Sequence, residues 1–207
     1  MVAKLNDKDI FLNCPFDPEY WPLLEAILFG ATICGYRIRS GLEVEDSGQV
    51  RLVKICGIIG QCRLTIHDIS RTVLDQKNQL PRFNMPFELG LDIGARTFGT
   101  KIYQKKELLI LDVERYRYQK FLSDIAGQDI KEYNVNYPGD LVCKVRDWLK
   151  SYTKESIPGP VPIKRKFDQF LSERTIMCET LSLDPTGQLG YADLIELIRS
   201  WLIQNVA

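Results

Sequence analysis

The sequence has a single histidine, His67, among 207 residues, no Cys-x-x-Cys pair among its six cysteines, and no net charge, 27 lysines and arginines opposing 27 aspartates and glutamates. Each shortage excludes something. With one histidine and no ligand-spaced cluster around it, nothing in the pattern would hold a zinc ion, so no metal is expected. Cys14, Cys34, Cys56, Cys62, Cys143 and Cys178 mostly adjoin apolar residues, the habit of reduced core thiols rather than of a disulfide framework. Balanced charge removes the positive excess with which proteins displace counterions from a phosphate backbone, so general nucleic-acid binding is not expected. No apolar run approaches the ~20 residues that span a bilayer, and Val2-Ala3-Lys4-Leu5-Asn6-Asp7 lacks an apolar signal core. The expectation is a cytoplasmic protein without membrane contact. GxxxxGKS/T, GxGxxG and GxSxG are missing too, which argues against a Walker ATPase, a Rossmann dehydrogenase and a nucleophile-elbow hydrolase.

What is present is a core-forming chain, 45% apolar and 26% charged, that alternates β-rich runs with helical patterns. Asp9-Ile10-Phe11-Leu12-Asn13 predicts a strand, Pro18 to Cys34 a helix, Tyr36-Arg37-Ile38-Arg39 a second strand. Leu52, Ile55, Cys56 and Ile59 then recur at helical spacing. Cys62-Arg63-Leu64-Thr65-Ile66-His67 predicts a third strand, and a polar loop from Asp75 to Leu80 leads to a helix capped by Asn84 with Pro86 in its first turn. Glu107-Leu108-Leu109-Ile110-Leu111-Asp112 has the continuous apolar character of a central parallel strand. A short edge strand near Asp129 to Tyr133 and a helix from Pro138 to about Tyr152, with Leu141, Val145, Trp148 and Leu149 inward, complete an α/β, flavodoxin-like (TIR-like) parallel sheet of about five strands with helices on both faces. The predicted division is an α/β domain over 1–153, a proline-rich linker over 154–162 and a helical hairpin over 163–207, turned at Asp184-Pro185-Thr186-Gly187. A lone hairpin cannot bury its apolar stripes, so it must dock on the sheet domain, a second subunit or a partner chain.

In an open parallel sheet, ligands bind outside the carboxyl ends of the strands, where the strand order reverses. The loops expected there carry Asn13-Cys14-Pro15-Phe16-Asp17, Glu43 to Gly48, His67-Asp68-Ile69-Ser70-Arg71 and Pro81-Arg82-Phe83-Asn84. Glu88, in the expected first turn of the following helix, either faces the crevice, where a carboxylate stabilises an oxocarbenium-like centre, or merely complements the helix dipole. Asp17 and Asp46-Ser47 hydrogen-bond ribose hydroxyls or cap helices. Asp68 points into the crevice or anchors a turn. His67 is either an acid/base or a hydrogen-bonded structural residue. Arg71 and Arg82 clamp phosphate or form surface ion pairs, and Phe16, Phe83 and Phe87 stack on a base or belong to the core.

The phrases Asn13-Cys14-Pro15-Phe16-Asp17, Ile66-His67-Asp68-Ile69-Ser70-Arg71, Pro81-Arg82-Phe83-Asn84-Met85-Pro86-Phe87-Glu88-Leu89-Gly90-Leu91 and Ser123-Asp124-Ile125-Ala126-Gly127-Gln128-Asp129-Ile130 together resemble a family of largely uncharacterised bacterial proteins. More distantly, residues 9 to 112, ending in Phe87-Glu88-Leu89-Gly90, resemble the nucleoside 2-deoxyribosyltransferase-like superfamily and its TIR-like relatives. That resemblance implies a catalytic carboxylate at Glu88 acting on an N-glycosidic bond, with Asp68 and Asn84 positioning the substrate. It also implies NAD or a related nucleotide as substrate rather than as cofactor, and a setting in antiphage defence. TIR NADases often carry Trp four positions before that Glu; here the position is Asn84. The rival expectation is a non-catalytic nucleotide sensor or assembly module, acting as a homo-oligomer or with a defence-system partner through its carboxy-terminal helices.

Overall fold

The computed structural model describes residues 5–43, 46–72, 74, 80–185 and 188–205. The chain forms two compact units, one running to Pro15 and resuming over Arg37–Tyr133, the other comprising Phe16–Tyr36 and continuing from Asn134.

The first unit is built on five parallel strands, β1 (Asn6–Asn13), β2 (Arg37–Arg39), β3 (Cys62–Asp68), β4 (Glu107–Asp112) and β5 (Lys131–Glu132). Their order, β2-β1-β3-β4-β5, defines a flavodoxin-like α/β sheet. The chain leaves β1 for β2 on one side and returns to β3 on the other, so the switch point lies where Asn13 pairs with His67. Between these strands run α2 (Arg51–Ile59) and α3 (Asn84–Phe98). Ile55, Ile58 and Ile59 pack with Phe11 and Cys62, and Leu91 and Ala95 of α3 close over them. The buried stripe of α2 is therefore rotated from the expected one. Leu52 is 44% exposed and Cys56 is exposed, because the stripe is drawn toward Ile58 rather than Leu52. At the far edge, β5 is only two residues long and solvent-exposed, which limits edge pairing with other chains.

The second unit is all helical: α1 (Trp21–Ile33), α4 (Pro138–Lys150), α5 (Pro160–Thr180) and α6 (Tyr191–Asn205). α1 is apolar nearly all round and buried from Leu23 to Ala31, as a helix with neighbours on every side must be. Gly30 lets α4 approach closely, since a Cβ there would lie 3.3 Å from the Val142 carbonyl oxygen. Phe29 of α1 meets Phe167, Phe170 and Trp201 at ring-centroid distances of 5.2, 5.2 and 5.8 Å, and Arg174 pairs with Glu25 at 3.1 Å. The helical hairpin thus covers its apolar stripes on α1 and α4 within the same chain. Pro160 and Pro162, expected in the linker, instead form the first turn of α5, where a missing N–H costs nothing. Residues 75–79 of the predicted polar loop and 186–187 of the predicted turn lie outside the described residues. No described helix is long and apolar enough to cross a membrane.

Candidate functional site

Met85, Glu88, Leu89 and Asp92 recur on one side of α3 and are buried. Two polar contacts fix that side to the switch point. Asn13 Nδ2 donates to the Met85 carbonyl oxygen at 2.8 Å, and Asp92 Oδ2 lies 2.9 Å from His67 Nε2. Asn13 Nδ2 is also 3.1 Å from His67 Nδ1. An amide nitrogen only donates, so Nδ1 must accept and the proton of the neutral ring sits on Nε2, directed at Asp92. Beyond Asp92 the chain continues to Lys106, whose ammonium is 3.1 Å from Asp92 Oδ1 and donates to the carbonyls of Ile59 and Cys62 at 2.8 and 2.6 Å. Asn13, His67, Asp92 and Lys106 are each at most 3% exposed. Burial alone would raise the Asp92 carboxyl, but the His67 hydrogen bond and the Lys106 charge outweigh it and hold Asp92 below its ordinary value. His67 is thereby a structural residue, closed off at both ring nitrogens.

Glu88 lies between these two anchors, one turn from each, and makes no hydrogen bond or ion pair among the described residues. As the fifth residue of α3 it is past the first turn, and the cap position falls on Phe83 rather than Asn84. Complementing the helix dipole therefore does not account for it, since that effect fades beyond the first turn. Burial pushes its carboxyl up to about 7, against a weaker opposing pull from Arg51, which opens α2 and whose guanidinium fits beside Gly41. Glu88 is buried, with 8% of its surface exposed, which is what desolvates its carboxylate. Its protonation sets a pH dependence of stability. The folded value lies above the unfolded one near 4.5, so the native state holds the extra proton between the two, and stability falls as pH rises through that window. Glu88→Gln should remove this slope and stabilise the fold at pH 8 by roughly 2 to 3 kcal/mol, read from urea midpoints at pH 5 and pH 8. Equal gains at both pH values would contradict the assignment.

The other expected site residues divide between the two units. Asn84 is exposed at the first position of α3, beside exposed Arg82 and Phe83. Arg82 N–H donates to the Arg71 carbonyl at 3.4 Å, which brings the two arginines' backbones together. Phe83 and Phe87 are 67% and 53% exposed rather than core residues. Asp68, fully buried, accepts from Ser70 N–H at 2.8 Å and so shapes the loop after β3; it follows His67 on the strand and points to the opposite face. Asp46 does not cap α2, whose cap position is Val50 four residues on; its Oδ1 accepts from Gly48 N–H at 2.9 Å in a local turn. Phe16, half-buried, and Asp17 belong to the second unit. There Asp17 Oδ1 accepts from Tyr20 N–H at 3.0 Å and caps the single 3-10 turn Pro18–Tyr20. Asp17→Ala should cost about 1 kcal/mol of stability, measured by urea unfolding; no loss would show that the cap carries no energy.

Asp92, Lys106, Arg51, Asp112 and Arg117 were not picked out by residue pattern. A signal existed for Asp92, a carboxylate at i+7 from Met85 on an apolar stripe. At the end of β4, buried Asp112 receives Arg117 Nε at 2.9 Å, and Arg117 Nη2 reaches back to the carbonyls of Ile69 and Ser70 at 2.9 and 3.1 Å. Burial raises the Asp112 carboxyl despite that partner. Arg117 so ties the segment after β4 to the end of β3. Among the described residues no group of three or more His, Cys, Asp or Glu side chains is placed to hold a metal ion. Comparisons with protein-family models, curated proteins and solved structures return no match.

Proposed function

We propose that the chain binds a nucleoside or nucleotide at the carboxyl ends of β1 and β3 and hydrolyses its N-glycosidic bond, with Glu88 as the catalytic carboxylate. The observation that carries this reading is Glu88 itself, a desolvated carboxylate left without a hydrogen-bonding or ion-pairing partner among the described residues, at the switch point and held from both sides. A natural fold seldom keeps such a group without use. The resemblance to deoxyribosyltransferase-like and TIR-like proteins supplies the reaction class, and NAD or a related nucleotide as the substrate; defence against phage is the setting it suggests.

In this mechanism the C1′–N bond breaks with its electron pair leaving on the base, and Glu88 stabilises the ribosyl cation or captures it covalently. Water then forms the C1′–O bond, breaking the bond to Glu88 where one had formed, and its proton passes to a base that left as an anion or otherwise to solvent. Asn13 spends its amide nitrogen on Met85 and His67 and keeps Oδ1 for a ribose hydroxyl, Asn84 offers a second contact, and Arg82 with Arg71 meets phosphate. The test is product analysis after incubation with NAD, NADP, ATP and a nucleoside panel. Free base released from one of them supports the proposal. Thermal stabilisation by a nucleotide without any product would replace it with nucleotide sensing, because a ligand that binds only the folded state raises Tm whether or not it reacts.

A further inference from the structure

Asn13 ends β1 at the switch point, and its amide is not free to turn. The side-chain nitrogen serves two acceptors, the Met85 carbonyl oxygen at 2.8 Å and His67 Nδ1 at 3.1 Å. We infer that Asn13 selects ribosides over 2′-deoxyribosides, its Oδ1 accepting the substrate's 2′-hydroxyl, with His67, Asp92 and Lys106 as the positioning residues that hold it in that orientation. This rests on the N-glycosidase reading and names the substrate class of the same site.

The orientation follows from what each neighbour can do. A carbonyl oxygen only accepts, so the amide atom against Met85 must be the nitrogen; turned over, Asn13 would set two oxygens against each other. The second amide hydrogen is held by His67, whose Nδ1 stays an acceptor only while the ring proton sits on Nε2. Asp92 Oδ2 fixes that proton from 2.9 Å, and the Lys106 ammonium, 3.1 Å from Asp92 Oδ1, favours the ionised carboxylate. The whole chain of contacts leaves Asn13 Oδ1 with its lone pairs and no donor among the described residues. Asn13 is 3% exposed overall, but Oδ1 is not among the fully enclosed unpartnered atoms, so it keeps contact with solvent. A nearly buried oxygen that can only accept calls for a donor from outside the chain. Two grounds make that donor the 2′-hydroxyl. Met85 and Glu88 are three residues apart, about 4.5 Å along the helix axis, so the acceptor anchored at Met85 lies near the carboxylate that faces C1′, and the carbon next to C1′ bears the 2′-hydroxyl. As positive charge forms at C1′ this hydroxyl donates more strongly, so an acceptor there strengthens in the transition state. At the 3′-hydroxyl the gain falls off with distance from the charge. An amide turned the other way would offer N–H groups and oppose that charge, which accounts for a network that forbids the turn.

The experiment measures base release by the whole protein from NAD, AMP and adenosine, each beside the analogues lacking the 2′-hydroxyl or the 3′-hydroxyl of the ribose that loses its base. Removing the 2′-hydroxyl makes an N-glycosidic bond intrinsically easier to break, because an electron-withdrawing group is lost beside the forming cation. The wild type should nevertheless favour the riboside in kcat/KM by roughly 10²-fold or more, and should tolerate loss of the 3′-hydroxyl far better. Asn13→Ala should collapse the riboside preference. Asp92→Asn tests the positioning, since its amide would donate to His67 Nε2, move the ring proton to Nδ1 and set it against the Asn13 amide. That variant should shrink the preference by about tenfold or more, although Asp92 does not touch the substrate. Loss of stability alone lowers both rates together and leaves their ratio unmoved. Equal turnover of the riboside and its 2′-deoxy analogue, a larger loss on removing the 3′-hydroxyl, or a preference that survives Asn13→Ala overturns the inference while leaving the N-glycosidase reading standing. A ratio unchanged in Asp92→Asn removes the positioning role. No base released from any of these compounds would overturn the N-glycosidase reading and this inference together.

Discussion

Glu88→Gln should lower kcat for base release by roughly 10³-fold or more while changing KM little. Glutamine keeps the shape of the side chain and removes only the charge, so the loss isolates the stabilisation of a developing ribosyl cation. The desolvation that raises Glu88 to about 7 is what makes the effect large, because a charge taken out of water interacts more strongly with a cation forming beside it. It also fixes the sign of the pH profile. The ionised carboxylate is the active form, so kcat/KM should rise from pH 5 to pH 8 with an inflection near 7. A rate that instead fell above pH 7 would mean that Glu88 works as an acid, protonating the departing base. Retained turnover in Glu88→Gln would remove it from the chemistry altogether.

The second large effect concerns the buried chain beneath that carboxylate. Lys106→Met should destabilise the protein by about 3 to 5 kcal/mol. The substitution strands the Asp92 carboxylate without its cation and leaves the Ile59 and Cys62 carbonyls without their donor. Adding Asp92→Asn removes the stranded charge and should recover part of the loss, so the double variant is expected to be more stable than Lys106→Met alone. A strictly additive pair would show that the two residues do not act together. Acid should have a related effect on the wild type. Asp92 titrates below its ordinary 3.8 in the fold, so the stability it contributes is present above that value and is lost as the pH falls below it.

Where chemistry and pattern were local, the sequence could be read. The apolar run Glu107–Asp112 is β4 with the expected limits, and the sheet has the expected number of strands. Glu88 stood out because a carboxylate beside Leu89 and Gly90, after Pro86, is visible in a short window. The parts that were not legible depend on residues far apart in the chain. Lys106 precedes an apolar run and reads as an ordinary strand-flanking cation until Ile59, Cys62 and Asp92 are brought to it. Asn84 and Asp46 have the right side chains for helix caps, yet the caps fall at Phe83 and Val50, neither of which makes a side-chain bond. Tertiary packing of Met85 and Ile55, not cap chemistry, decides where those helices sit. The prolines at 160 and 162 read as a break because proline both ends helices and begins them.

The helical unit is assembled from two stretches of chain that lie far apart. α1 is made early, but the surfaces that cover it belong to α4, α5 and α6, all of which begin more than a hundred residues later. During synthesis the strands of the sheet can begin to pair while α1, with hardly a polar face, has nothing yet to bury against. At ordinary elongation rates that interval is on the order of ten seconds, long compared with the microseconds in which an isolated helix forms and melts. That interval leaves one thirteen-residue apolar segment without its cover.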